Sequence, residues 1–304
     1  MTELKHILKA EQFTDIKELD RLFGLADELR AADEKGQVPQ SLAGKIVATL
    51  FFEPSTRTRL SFEAAALKLG AQVISTENAR EALSANKGET LQDTIKIVNG
   101  YADIIVLRHY EKGGAEIAAE VSEIPVINAG DGAGEHPTQA LGDVYTLQKE
   151  LGRVAGLKIA LVGDLLYGRT VHSLLPILGL YKDVTVYLVS PPQLRFPKEY
   201  TKTRIVLKEF DNVEEILPEV DVLYVTRIQK ERFASEQEYQ NLKGSYVING
   251  ENLKKLKKEA IVMHPLPRVD EISSEIDSDP RAAYFRQAQN GLYLRMALLS
   301  EILK

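Results

Sequence analysis

Short apolar runs alternate with amphipathic segments along the whole 304-residue chain. The runs are rich in Val, Ile and Leu and nearly continuous, which is typical of strands buried on both faces of a sheet. Strands that alternate with helical patterns are typical of parallel sheets covered by helices. The pattern therefore predicts an α/β protein. The predicted strands are residues 45–52, 72–76, 102–108, 125–128, 158–163, 184–189, 204–207, 222–226, 246–249 and 260–264.

A single hydrophobic core usually stops growing at a chain length below that of this protein, which favours two domains. Residues 137–151 carry apolar side chains on one helical face, start with Pro137 and end before Gly152, as a connecting helix would. We expect each domain to be a mainly parallel sheet with helices on both faces. The predicted parts are a first domain of residues 1–151 ending in the connecting helix 137–151, a second domain of residues 152–304, and a C-terminal helix at about 290–304. The sequence leaves open whether that last helix packs on the first or on the second domain.

Composition removes several classes of function. A net charge of −6 without a long basic stretch argues against nucleic acid as a partner. The chain has no cysteine and only five scattered histidines, so we expect no metal site. Gly163 and Gly168 are five residues apart and lack the dinucleotide fingerprint, so no nicotinamide cofactor is expected. No apolar stretch is long enough for a membrane helix and no signal peptide is recognisable, so we expect a cytoplasmic protein.

Candidate chemistry lies where predicted strands end, because ligands of open α/β sheets bind there. After the strand ending at Phe52, the chain reads Glu-Pro-Ser-Thr-Arg-Thr-Arg and then becomes helical. Ser55 suits the N-cap position, and the next residues offer N–H groups, two hydroxyls and Arg57 to an anion. A cap alone needs one polar residue, so this junction predicts a phosphate site. The alternative is that Ser55 only caps and the arginines are surface charges.

Two further junctions carry polar groups at helix starts. A glycine-rich turn at residues 130–134 is followed by His136 and Gln139, which indicates a polar site, although a histidine there can also serve only as a cap. Arg169 starts another helix, where a cation opposes the helix dipole, so an anionic ligand or a surface salt bridge would compensate it.

The last junctions follow two neighbouring predicted strands, at residues 226–229 and 264–268. Two prolines around Leu266 impose an irregular backbone, which exposes carbonyl groups to a ligand amide. The alternative interpretation is an ordinary turn.

The motifs FEPSTRTRLSFE, KGETLQDT, HPTQALGD, TRIQKERF and MHPLPRVDEI resemble, in order and over essentially the whole chain, the aspartate carbamoyltransferases of the transcarbamoylase superfamily. Ornithine carbamoyltransferases have a cysteine in the last motif, where this chain has Pro265. The resemblance implies transfer of the carbamoyl group of carbamoyl phosphate to the amine of L-aspartate, giving N-carbamoyl-L-aspartate and phosphate, in de novo pyrimidine biosynthesis. It implies no cofactor.

The resemblance also implies site residues and a homotrimer. It places phosphate at Ser55, Thr56, Arg57 and Thr58, with Ser84 as a further ligand. It places the carbamoyl group at Arg108, His136 and Gln139, and its NH₂ at the turn of Leu266 and Pro267, with a cis peptide between them. It assigns aspartate to Lys87, Arg169, Arg227 and Gln229, with Ser84 and Lys87 supplied by the adjacent subunit. The implied catalytic residues are Arg57, Thr58, Lys87, Arg108 and His136, and the implied partners of Glu53 are Arg169 and Arg232.

Two other functions are weighed against this one. A carbamoyltransferase for another amine, such as ornithine, would need carboxylates for a cationic side chain, whereas Arg169, Arg227 and Lys87 suit a dianionic substrate. A non-catalytic scaffold that keeps the fold would have lost key residues, and His136, Lys87 and the arginines are all present. The sequence leaves open whether the trimer pairs with separate regulatory chains.

Overall fold

The computed structural model describes residues 5–77, 88–201, 204–230, 233 and 235–304. The chain divides into two compact units, Met1–Gly142 with Gln289–Lys304, and Asp143–Ala288. Each unit contains a parallel sheet with helices on both faces, as the alternating pattern predicts. The boundary predicted after Leu151 stays a prediction, since the compact units divide earlier, within a helix.

The first unit has a four-stranded sheet in the order β2-β1-β3-β4, and every described strand pair is parallel. The strands β1, β3 and β4 are almost wholly buried, whereas β2 lies at the edge and is largely accessible. The elements are α1 (Ile16–Glu34), β1 (Ile46–Phe51), α2 (Thr56–Lys68), β2 (Gln72–Glu77), α3 (Leu91–Val98), β3 (Ile104–His109), α4 (Gly114–Val121) and β4 (Val126–Asp131). Helix α5 (Pro137–Leu151) follows β4 and has the predicted bounds.

The second unit has a five-stranded parallel sheet in the order β7-β6-β5-β8-β9. Its elements are β5 (Lys158–Val162), α6 (Arg169–Leu178), β6 (Thr185–Val189), β7 (Val206–Phe210), β8 (Val222–Val225), α7 (Glu236–Leu242), α8 (Gly250–Lys255) and β9 (Ile261–Met263). The prediction of a strand at 246–249 is wrong. Only Ile248 forms a single bridge, to Ile272, because Asn249 already caps α8 through its side chain.

The last helix, α9 (Tyr284–Ile302), begins about a turn and a half before the predicted start near residue 290. Its residues from Gln289 onward belong to the first unit. There Arg30 of α1 donates to the Asn290 side chain at 2.5 Å, and the Tyr293 hydroxyl donates to Asp33 at 3.0 Å. These bonds join the end of the chain to the first long helix.

Candidate active site

The carboxyl ends of three neighbouring strands in the first unit carry the predicted anion-binding residues. The strands β1, β3 and β4 lie side by side and run in the same direction, so their ends meet at one edge of the sheet. Beyond β1, the Phe52 N–H still donates to the Arg108 carbonyl at 2.8 Å. This bond holds the chain leaving β1 beside the end of β3.

The junction between β1 and α2 has the features of an anion site. Ser55 occupies the N-cap position of α2, but its side chain makes no capping hydrogen bond. The first turn has no acidic residue to balance the positive end of the helix dipole. Arg57 is exposed and Thr58 is buried in that turn. A bound anion would therefore compensate both the dipole and the arginine charge.

Arg108 is a buried cation at the end of β3, with 7% of its surface exposed. Its Nη2 lies 3.1 Å from the Glu53 carboxylate, and its Nη1 lies 3.4 Å from the Ala129 carbonyl oxygen. The guanidinium is thus fixed to the chain segments that follow β1 and end β4. The family resemblance implied Arg169 and Arg232 as the partners of Glu53. Arg232 lies outside the described residues.

The turn between β4 and α5 is shaped by one carboxylate. Asp131 accepts from the Glu135 N–H and from the Gly113 N–H, both at 2.7 Å. Gly132 has φ +46°, and a Cβ there would lie 2.7 Å from the Lys112 nitrogen, so the turn requires glycine. The turn places His136 directly before α5.

His136 is buried, and its carbonyl oxygen accepts from the Gln139 N–H at 3.1 Å. This bond places His136 directly before α5 and Gln139 in its first turn. Imidazole and amide side chains at this position can donate to a substrate carbonyl oxygen. Predicted carbamoyl ligands therefore follow the ends of β3 and β4, next to the anion site of α2.

In the second unit, the neighbouring strands β5 and β8 end in the segments predicted to bind aspartate, and β9 ends in the turn predicted to bind the carbamoyl NH₂. Thr226 extends β8, with its N–H donating to the Val162 carbonyl at 2.8 Å. Gly163 has φ +115°, and a Cβ there would meet the Thr226 carbonyl oxygen at 2.2 Å. Close approach of these two backbones thus depends on glycine.

Asp164 is a wholly buried carboxyl that links two of these segments. It accepts from the Tyr167 N–H at 2.9 Å, just before Arg169, and from the Gln229 N–H at 3.3 Å. Burial raises the pKa of Asp164, although these hydrogen bonds and the charge of Arg227 oppose that rise. Asp164 therefore holds the backbone two residues before Arg169 and at Gln229, and the charge of Arg227 acts on its carboxyl group.

The turn after β9 has the predicted irregular backbone. The Leu266–Pro267 peptide is cis, which confirms that prediction, and Leu266 has φ +51°. Pro267 is exposed and Leu266 is partly buried. The turn therefore begins at the buried end of the strand and reaches the surface at Pro267.

Within each unit, the described site residues follow neighbouring strand ends. In the first unit these are Ser55, Thr56, Arg57, Thr58, Arg108, His136 and Gln139, and in the second unit Arg169, Arg227, Gln229, Leu266 and Pro267. Ser84 and Lys87 lie outside the described residues. The sequence reasoning missed Asp164; its position directly after a buried strand and Gly163 was the available signal.

The described ranges contain no group of three or more His, Cys, Asp or Glu side chains that could hold a metal ion. Among the helices of those ranges, none combines the length and apolarity that crossing a membrane requires.

Both halves of the chain match known protein families in sequence. Residues 5–149 match the carbamoyl-P binding domain of aspartate/ornithine carbamoyltransferase, and residues 155–302 match its Asp/Orn binding domain. The chloroplastic aspartate carbamoyltransferase of Arabidopsis thaliana is 51% identical, over 99% of this chain and 78% of that protein. The aspartate carbamoyltransferase catalytic subunit of Thermoplasma volcanium is 52% identical, over 94% of both chains.

Solved structures give the same result. An aspartate transcarbamoylase from Trypanosoma cruzi, in complex with carbamoyl phosphate and aspartate, superposes with a TM-score of 0.93. It is 42% identical and the match covers 99% of this chain and 97% of that one. The chain belongs to the aspartate carbamoyltransferases of the aspartate/ornithine carbamoyltransferase family.

Proposed function

We propose that this protein transfers the carbamoyl group of carbamoyl phosphate to the amine of L-aspartate, giving N-carbamoyl-L-aspartate and phosphate, as a step of pyrimidine synthesis. One observation carries the proposal: residues suited to each substrate follow the ends of adjacent strands, in a chain whose relative binds both substrates. The first unit offers hydroxyls and cations for the phosphate. The second offers Arg169 and Arg227 for two carboxylates.

The reaction needs no side-chain nucleophile. The neutral aspartate amine attacks the carbamoyl carbon, the carbonyl oxygen becomes an oxyanion, and phosphate leaves as the C–O bond breaks. The departing phosphate accepts the amine proton. Enzymatic accelerations commonly represent at least about 8 kcal/mol, whereas one oxyanion donor supplies about 2.7–4. Holding both substrates in attack geometry supplies about 7–11 kcal/mol and is the principal contribution.

The residues then divide between stabilising the reacting groups and holding the substrates, and Lys87 does both. Thr58, Arg108 and His136 donate to the oxyanion, and Arg57 with Lys87 neutralises the leaving phosphate. The other predicted ligands hold the substrates: Ser55, Thr56 and Ser84 the phosphate, Gln139, Leu266 and Pro267 the carbamoyl group, and Lys87, Arg169, Arg227 and Gln229 the aspartate. Cationic ligands suit a reaction in which both substrates are anionic.

The substrate assignment is tested by measuring carbamoyl transfer with L-aspartate and L-ornithine at saturating carbamoyl phosphate. We expect activity with aspartate only, and a collapse of that activity in Arg227→Ala. The control is Arg195→Ala, which removes an arginine of the same unit that pairs with Glu209 and Asp211 at the surface. Activity with ornithine would move the protein to the sister group, and none with either amine would favour a non-catalytic scaffold.

The role of His136 is tested separately. If it donates to the oxyanion, His136→Ala lowers kcat by about 10²- to 10³-fold, with kcat/KM falling equally. A rise in KM for carbamoyl phosphate at unchanged kcat would instead assign His136 to substrate binding alone.

We also propose that the active form is a homotrimer in which Ser84 and Lys87 complete the site of the adjacent subunit. The support is the family resemblance. Inactive Arg57→Ala chains and inactive Lys87→Ala chains should then restore activity when dissociated and reassembled together. Random mixing of equal amounts in a shared-site trimer gives about a quarter of the wild-type sites. No recovery from verified mixed trimers would show that each site is built by one chain.

The cellular location of the protein and its association with other chains can each be tested directly. We propose a cytoplasmic location, tested by fractionation of the source cells. Association with separate regulatory chains would be tested by purifying the untagged protein from those cells and determining its mass and composition.

A further inference from the structure

The turn after β9 contains a backbone conformation that bulky residues rarely adopt. Leu266 has φ +51°, in the left-handed region where a Cβ is disfavoured. Such a residue persists in a folded protein only where its surroundings hold it in place, and it often lies at a functional site. The contacts that hold Leu266 are therefore informative about the turn.

A buried histidine provides one such contact. The Leu266 N–H donates to His264 Nδ1 at 2.7 Å, and His264 Nε2 lies 2.7 Å from the Glu271 carboxylate. Since a backbone N–H can only donate, Nδ1 accepts and the imidazole proton resides on Nε2. His264 therefore donates to Glu271. The ring has 1% of its surface exposed, so water does not compete for these bonds.

The carboxylate partner is fixed in turn. Glu271 also accepts from the backbone N–H groups of Val269 and Asp270, at 3.2 Å each. Burial raises the pKa of Glu271, but the hydrogen bond from His264 and the backbone donors outweigh it and lower the pKa. Glu271 is thus an ionised acceptor that selects one tautomer of the histidine.

The backbone of His264 is held from the opposite direction. Its N–H donates to Gln287 Oε1 at 2.8 Å, and Gln287 Nε2 donates to Asp143 Oδ1 at 2.7 Å. The second donation fixes which way the Gln287 amide faces. Both the ring and the main chain of His264 are therefore anchored before the chain enters the turn.

We propose that His264 and Glu271 are positioning residues for carbamoyl transfer, acting as a pair that holds Leu266 in its left-handed conformation and so aims the carbonyl groups of the turn at the carbamoyl NH₂. The inference rests on the proposed function. Neither residue touches a substrate atom in this role.

The test compares two replacements of His264. An asparagine at this position can accept from the N–H two residues later, in the same way as the imidazole, whereas leucine cannot. We expect His264→Leu to lower kcat per folded chain by about 10²-fold, the cost of a misplaced site. His264→Asn should recover most of that loss. Folded protein is quantified by circular dichroism and by gel filtration.

Glu271→Gln tests the partner and is informative if His264→Leu does not fold. One oxygen of glutamine still accepts, but its NH₂ faces the backbone donors of Val269 and Asp270, so kcat should fall. The control is Tyr187→Phe, which removes one side-chain hydrogen bond, to Glu219, on β6 of the same unit. It should lower stability without changing kcat.

Three outcomes separate the possibilities. Wild-type protein without carbamoyl transfer would overturn the proposed function itself. Active wild type with unchanged kcat in folded His264→Leu or in Glu271→Gln would overturn only the positioning role. Equal losses in His264→Leu and His264→Asn would also overturn it, because they would show that the acceptor for Leu266 is not what matters.

Discussion

The Arg108 guanidinium lies 3.1 Å from the Glu53 carboxylate and is almost completely buried. Arginine is planar and presents five donors in a fixed arrangement, whereas lysine concentrates three at one point. Lysine at 108 therefore cannot hold Glu53 and Ala129 and also stabilise an oxyanion. We expect Arg108→Lys to lower kcat by about 10²- to 10³-fold in steady-state assays.

A matched arginine in the same unit serves as the control for that experiment. Arg21 of α1 pairs with Glu301 of α9 at 2.5 Å, and neither residue lies in a strand or directly after one. Arg21→Lys should leave kcat unchanged. Comparable losses in both variants would indicate a general effect of replacing paired arginines.

Asp164 is expected to control aspartate binding through Gln229. In Asp164→Asn, the side-chain NH₂ would face the N–H of Tyr167 or of Gln229, so one buried donor would lose its acceptor. Such a loss costs about 1–3 kcal/mol, which corresponds to a rise in KM for aspartate of roughly 5- to 150-fold. Asp183→Asn changes an exposed carboxyl of the same unit and should leave KM unaltered. An unchanged KM in Asp164→Asn would show that this carboxyl does not set the aspartate site.

Gly163 is expected to tolerate no side chain. The Cβ of Gly163→Ala would lie 2.2 Å from the Thr226 carbonyl oxygen, at φ +115°. Separation of β5 from the end of β8 should lower the free energy of unfolding by at least about 3 kcal/mol. Urea unfolding of the purified variant measures this loss.

Gly24 gives the opposite expectation with the same substitution. It lies inside α1, and apart from its chain neighbours and the adjacent helix backbone no atom lies within 4 Å of the position that a Cβ would occupy. Gly24→Ala should raise the free energy of unfolding by about 0.5–1 kcal/mol, because alanine favours a helix interior. A loss of stability in both variants would contradict the packing argument.

Acid should weaken the link between the first and last long helices. The hydrogen bond from Lys68 lowers the pKa of Asp33 below 3.8; burial opposes this effect and the Tyr293 hydroxyl adds to it. Because the folded-state pKa is the lower one, the stabilisation is present above pH 3.8 and is lost as pH falls through the folded-state pKa. Asp33→Asn should cost about 1 kcal/mol at neutral pH and little below that range. A pH-independent cost in urea unfolding would contradict this assignment.

Local patterns predicted most of the fold and the composition of the site. The apolar runs gave strands such as β1 and β5, and Pro137 with Gly152 gave both ends of α5, because these signals lie within the elements themselves. Residues 246–249 have a strand-like composition, but they form no strand because Asn249 caps the N-terminus of α8. Whether a residue caps a helix depends on the residues that follow it, and the composition of a short segment alone does not reveal this.

Contacts between distant residues could not be predicted in the same way. Glu53 and Arg108 are 55 positions apart and meet only because β1 pairs with β3. His264 and Glu271 are close in sequence, yet their side chains meet only through the conformation of the turn between them. Motifs identify which residues a site contains, whereas strand pairing and turn geometry determine which of them touch.

The assignment of Gln289–Lys304 to the first unit has a consequence for biosynthesis. The partners of Arg30 and Asp33 on α9 leave the ribosome only after the whole second unit has been translated. Until then, α1 lacks its final packing surface, and the nascent first unit holds only part of its native contacts. A chaperone that binds exposed apolar helix faces would thus meet this protein during the synthesis of its second half.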